Sequence, residues 1–125
     1  TNPEILDRML NFFDSPWLRL NIDTGNTFIA GQSPVEFVKR FLPKLRYMHI
    51  KDVSASVAAA MKGDETGIAM SESPIGAGVN AENIRQCIRL LKQARWDGVI
   101  SVECSGTDEN LTASIGWLRE QIAKA

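Results

Sequence analysis

The chain has 125 residues, 44% hydrophobic and 23% charged, with 14 basic against 15 acidic side chains and a formal net charge of −1. That is the composition of an ordinary soluble domain with apolar surface for one core; without a Lys/Arg cluster it lacks the electrostatic footprint of a nucleic-acid or anionic-membrane partner. No apolar run approaches the ~18 residues of a membrane span, and TNPEILDRML at the start lacks the basic and apolar regions of a signal peptide, so the cytoplasm is the expected location.

Residues 3–13 open as a helix. Asn2 is its candidate N-cap, Pro3 stands at the first helical position, and Ile5, Leu6, Met9, Leu10 and Phe13 share a face. Residues 17–23, WLRLNID, alternate with a period of two and predict a first strand, with Leu18, Leu20 and Ile22 opposite Arg19, Asn21 and Asp23. A short helix follows in SPVEFVKRFL, where Ser33 and Glu36 have capping-box spacing, Phe37, Val38 and Phe41 are apolar, and Pro43 closes it. YMHIKD, residues 47–52, is the second strand. Residues 54–79 exceed an ordinary strand-to-helix connection and predict a short helix near SVAAAMK and an ordered turn at PIGAG. The two glycines of that turn bring backbone N–H groups within reach of an anion, but a plain turn is the better reading of so short a signal. Asn80 is the candidate N-cap of a helix carrying Ile84, Cys87, Ile88, Leu91 and Ala94 on one side. Gly98 suits a tight turn into the third strand, VISVEC, residues 99–104, and a closing helix places Leu111, Ile115, Leu118 and Ile122 on one stripe. Cys87 and Cys104 lack CxxC spacing and read as reduced thiols.

Alternation of helix and strand argues for parallel strands joined by crossover helices. Three strong strands are too few for a closed barrel, which has eight in roughly 250 residues, so the fold class is α/β, a partial (β/α) barrel. Residues 1–125 show no internal boundary. Three parallel strands would leave open sheet edges and an uncovered inner face, which predicts a homodimer or association with an upstream barrel fragment.

Strand parity picks out the candidate site. Asn21 and Asp23 share a face, as do Tyr47, His49 and Lys51, and Ser101 and Glu103; the apolar sets, which must meet the helices, lie opposite. Each polar set lies toward the carboxyl end of its strand, where parallel α/β proteins place their ligand sites. Singly, His49 reads as a core residue, Asp23 as a turn-former and Glu103 as a helix cap. Jointly, three ionisable groups on the same parity favour a site, because a charge buried without a partner is costly. Two carboxylates and an imidazole match Mn²⁺, Mg²⁺ or Co²⁺ better than zinc. Lys51 shares the parity and can reach a substrate oxygen; Asp52 has the opposite parity and reads as a loop or N-cap residue.

The segments NIDTGN, YMHIKD, PIGAGVN and WDGVISVEC together resemble the sugar phosphate isomerase/epimerase family with the xylose-isomerase-like barrel. The resemblance covers nearly the whole chain and corresponds to the last three strand-helix units of that TIM barrel plus the preceding helix. It implies a divalent metal held by Asp23, His49 and Glu103, with a fourth ligand, a glutamate, on an earlier strand that these residues do not include. It also implies a sugar or polyol substrate, with Asn26 and Lys51 as the candidate contacts to it, and Glu103 as the candidate catalytic group, since in the ketose 3-epimerase branch the missing glutamate and the counterpart of Glu103 exchange the substrate proton next to a carbonyl. Ketose 3-epimerases of this family commonly carry histidine at the position of Asn26 and an arginine after the metal-binding histidine that has no match here, which disfavours their substrate mode. Hydroxypyruvate isomerases, inosose dehydratases and 3-keto-glycoside lyases share the barrel. Endonuclease IV-like chemistry is disfavoured, since a trinuclear zinc cluster needs several imidazoles and His49 is the one histidine.

Overall fold

The computed structural model describes residues 2–64, 67, 68, 70 and 72–125. Strands β1 (Leu20–Asp23), β2 (Leu45–Ile50) and β3 (Val99–Val102) form a parallel sheet in the order β1-β2-β3. Helices α1 (Pro3–Leu10), α2 (Thr24–Ile29), α3 (Pro34–Phe41), α4 (Ala55–Met61), α5 (Ala81–Gln93) and α6 (Asp108–Lys124) precede, connect and follow the strands, with a 3₁₀ turn at Leu42–Lys44.

The apolar strand positions go where their parity directs them. Ile22, Met48 and Ile50 are buried in one cluster with Val38 and Phe41 of α3, Ile84, Cys87, Ile88 and Leu91 of α5, and Leu118 of α6. Each such side chain contributes roughly 1.5–3 kcal/mol on leaving water. Two of the three predicted caps form: Asn2 Oδ1 accepts the N–H groups of Glu4 and Ile5, and Ser33 Oγ accepts that of Glu36. Cys87 and Cys104 are free thiols, and burial pushes the Cys87 thiol up to about 12, which leaves it inert at neutral pH. Among the described residues, no helix is long and apolar enough to cross a membrane.

Several boundaries differ from the sequence reading. Helix α1 stops at Leu10, with Asn11 as its C-cap, and β1 starts at Leu20 rather than residue 17. Ile5, Met9, Phe12, Phe13 and Trp17 are exposed; Ile5, Met9, Phe12 and Phe13 line one hollow with Leu18, just before the unpaired edge of β1. In α6 the buried face runs through Ser114 and Leu118, while Leu111 and Ile122 are each 42% exposed. Ser114 is drawn inward because its hydroxyl donates to the Asn110 carbonyl and accepts the Ile75 N–H. The positive φ after α5 belongs to Arg95, not to Gly98. Gly98 is required for space: a Cβ there would run into the Trp96 ring and the Arg46 carbonyl. Helix α2 has no counterpart in the sequence reading; its six residues lie directly after Asp23, which caps it.

Candidate metal centre

The sheet ladder builds the site. Asp23 ends β1 and is in register with His49, and His49 is in register with Ser101 on the other side. Glu103 lies one residue past β3, but its N–H still donates to the Ile50 carbonyl at 2.9 Å, so the ladder reaches far enough to fix it. All three side chains emerge on the polar parity, and one ligand atom from each lies within 4.8 Å of the other two. His49 Nδ1 lies 3.0 Å from Glu103 Oε2. Glu103 is not the cap of α6, because Thr107 Oγ1 accepts the Asn110 N–H there.

Asp23 does double duty: Oδ1 accepts the Asn26 N–H at 2.8 Å and so starts α2, while Oδ2 faces Lys51 Nζ at 3.5 Å. Lys51 Nζ also pairs closely with Glu103 Oε1 and donates to Asn26 Oδ1 at 3.1 Å. Burial raises the Asp23 carboxyl, and the nearby Glu103 carboxylate adds to the rise against the opposing pull of the Asn26 N–H and Lys51. Burial alone would raise Glu103 too, but the Lys51 ammonium, a proton carried on neighbouring Asp23, and His49 outweigh it and hold Glu103 down at about 2. The cluster therefore keeps Glu103 ionised and makes Asp23 the carboxyl that first takes up a proton.

The donor set fits a divalent ion. Two carboxylates and an imidazole supply oxygen and nitrogen donors of the kind Mn²⁺, Mg²⁺ and Co²⁺ accept, and His49 and Glu103 are half-open, with side chains 37% and 38% exposed. Asn26 and Lys51, expected to line a substrate, stand at the same cluster, where they are bonded to each other.

Gly25 makes room for Lys51. A Cβ on Gly25 would stand 2.5, 2.6 and 2.8 Å from Cδ, Cγ and Cβ of Lys51, well inside contact distance, and the atoms it meets belong to the base of the side chain rather than its mobile end. Gly25→Ala should therefore cost about 1–3 kcal/mol in chemical denaturation; an unchanged midpoint would contradict the packing of Lys51 beneath α2.

Behind the cluster lies a layer that sequence reasoning missed. Asp52 does lie in the loop past β2, but it caps no helix and is not open to solvent: it is 1% exposed and accepts four backbone N–H groups. Oδ1 takes those of Val53 (2.8 Å) and Asn80 (3.0 Å), and Oδ2 those of Gly76 and Gly78 (both 2.9 Å). PIGAG is thus more than a plain turn, and the anion its glycine N–H groups meet is a side chain of the protein itself. Asn80 precedes α5, but its side chain makes no cap; Nδ2 turns inward to the carbonyls of Thr24 (3.0 Å) and Lys51 (3.3 Å). Thr24 Oγ1 meets both the N–H and the carbonyl of Lys51 at 2.9 Å, extending the β1-β2 contact past the last ladder pair. The available signal was an aspartate just after a strand with a G-x-G turn downstream, since closely spaced glycine amides need an acceptor.

A parallel sheet with helical crossovers and a carboxylate-imidazole cluster at the strands' carboxyl ends defines a segment of a (β/α) barrel. The chain belongs to the xylose isomerase-like TIM barrel family, a sequence model of which matches residues 1–121. It is similar to the inosose dehydratase of Clostridium botulinum (strain Eklund 17B / Type B), 26% identical over 104 residues that cover 80% of this chain and 35% of that protein. Inosose dehydratase of Geobacillus kaustophilus (strain HTA426) is 31% identical over 62 residues, covering 50% of this chain and 20% of that one. That of Bacillus thuringiensis (strain Al Hakam) is 28% identical over 60 residues, 48% of this chain and 20% of the relative. The chain spans a fifth to about a third of the length of the curated relatives it matches.

Proposed function

We propose that residues 1–125 are the C-terminal portion of a barrel enzyme that removes a proton next to the carbonyl of a sugar-like or cyclic polyol. The observation that carries this reading is the convergence of Asp23, His49 and Glu103 at the strand ends, with one ligand atom from each within 4.8 Å of the others. These three residues would hold a divalent ion, which when bound supplies Lewis-acid polarisation of substrate oxygens. Glu103 is the base. It is half-open, so one oxygen can bind while the other takes the proton from carbon, leaving the electron pair on the substrate as an enediolate or enolate. Asp23 and His49 orient that carboxylate, and Asn26 and Lys51 stand where substrate hydroxyls would approach.

The fate of the enolate separates the readings. In a dehydratase it expels the neighbouring hydroxyl, which leaves as water once protonated; in an isomerase or epimerase the proton returns to a neighbouring carbon or to the opposite face. The inosose dehydratases among the relatives support loss of water. Isomerisation or epimerisation is the second reading, resting on the same first step, and Asn26 in place of histidine weighs against its ketose 3-epimerase form. The complete protein, loaded with Mn²⁺ and incubated with keto-cyclitols and ketoses in deuterium oxide, should release water from a keto-cyclitol and take up deuterium beside the carbonyl. Deuterium uptake without water loss would move the assignment to isomerisation, and neither change on any keto-polyol would overturn it.

The exposed apolar side chains near the β1 edge, and the single sheet neighbour of β1 and of β3, support association with a second copy or with the upstream part of the barrel. Residues 1–125 expressed alone should sediment as a dimer or larger species, or bind a separately expressed upstream segment. A compact monomer with a cooperative melt contradicts this.

A further inference from the structure

Lys51 stands where a cation would be bound. An ammonium has three N–H donors, and the three oxygens around Lys51 Nζ come from different places in the chain: Glu103 Oε1, Asp23 Oδ2 at 3.5 Å and Asn26 Oδ1 at 3.1 Å. Asn26 and Glu103 accept hydrogen bonds from it, and Asp23 is held across the ion pair by charge. It is not free to swing away. The side chain is 8% exposed, its stem runs beneath Gly25, and its backbone is clamped by Thr24 and Asn80. Two of its three oxygen partners belong to the residues that form the divalent-ion donor set.

From this geometry we propose that Lys51 is a built-in counter-ion of the metal site: its ammonium holds the carboxylates of Asp23 and Glu103 together and competes with the divalent ion for Glu103. Two carboxylates side by side repel each other, and a fixed positive charge between them keeps the donor set assembled. The same charge repels an incoming dication a few ångströms away, and that repulsion is large in a partly buried setting. Lys51 thereby trades affinity for pre-assembly, and a metal that takes Glu103 from it also releases an N–H donor toward the pocket. The counter-ion role rests on the proposed metal binding by Asp23, His49 and Glu103.

The test compares wild type, Lys51→Met and Lys51→Arg by calorimetric titration with Mn²⁺ after chelation, and by thermal melting in excess chelator. Methionine keeps an unbranched stem under Gly25 and removes the charge. Lys51→Met should bind Mn²⁺ about tenfold more tightly or better, melt earlier in chelator and recover on Mn²⁺ saturation, while Lys51→Arg stays close to wild type. As a check independent of any variant, the wild-type Lys51 ammonium resonance, protected by its three oxygen partners in chelator, should shift or broaden on saturation with Mg²⁺. Equal or weaker Mn²⁺ affinity in a folded Lys51→Met protein, or a Lys51 resonance indifferent to bound Mg²⁺, overturns the counter-ion role alone. No binding of either ion by any of the proteins overturns it together with the metal reading.

Discussion

Glu103→Gln should abolish exchange of the substrate's carbon-bound proton with solvent while leaving the protein folded. Glutamine preserves the shape and one acceptor oxygen but cannot take a proton, and loss of a positioned general base typically costs about 10²–10⁴-fold in rate. The effect on stability should be small by comparison. Glu103 is half-exposed, which weakens its charge pairing, and the glutamine oxygen can still accept from the buried Lys51 ammonium, so removing the charge should cost about 1 kcal/mol. A capping carboxylate would behave in the opposite way, with a stability loss and intact turnover, but Thr107 already fills that role. Deuterium exchange measured with the metal-loaded variant decides the matter: retained exchange would end the assignment of Glu103 as base and leave it at most a ligand.

Asp52→Ala should be the most destabilising single change near the site. Removing the carboxylate strips the acceptor from four backbone N–H groups at once, those of Val53, Gly76, Gly78 and Asn80. A buried group left unsatisfied costs about 1–3 kcal/mol, and breaking a buried charged network about 3–5 kcal/mol, a large share of the roughly 5–15 kcal/mol that holds a typical domain together. Asp52→Asn should fall between, since the amide keeps one acceptor oxygen and turns N–H donors against the other pair. Urea denaturation gives the total, and hydrogen exchange locates it: the Gly76, Gly78 and Asn80 amides should lose protection in the variant. A stability loss under about 1 kcal/mol, less than a single unsatisfied buried group should cost, would mean that the loop stands without Asp52.

The part of this molecule legible in its sequence is the part governed by strand parity. Alternation in NID, YMHIK and ISVE assigns every side chain to one of two faces, so once the apolar set is committed to the helices, Asp23, His49 and Glu103 have to share the other face. Parity says nothing of depth or of partners. Lys51 and Asp52 sit on opposite faces, both are buried, and what satisfies them comes from residues far along the chain: Glu103 for one, Gly76 to Asn80 for the other. Helix α2 was invisible for a different reason. Thr24 to Ile29 is too short for helical periodicity to register, and it contains glycine and threonine, which favour other conformations; what makes it a helix is the Asp23 cap and burial of Thr24, Thr27, Phe28 and Ile29. The first helix reads too long in the sequence because Phe13 continues its apolar spacing after Asn11 has ended its hydrogen bonding. Spacing reports which face is apolar, and the end of a helix is set by its cap.

Metal binding by the three strand-end residues is the claim on which the functional reading depends, and anomalous diffraction from crystals soaked in Mn²⁺ tests it most directly. The reading predicts one strong anomalous peak bonded to Asp23, His49 and Glu103 together, and its disappearance in His49→Ala. A peak elsewhere on the surface, or none at this cluster at saturating Mn²⁺, would contradict it.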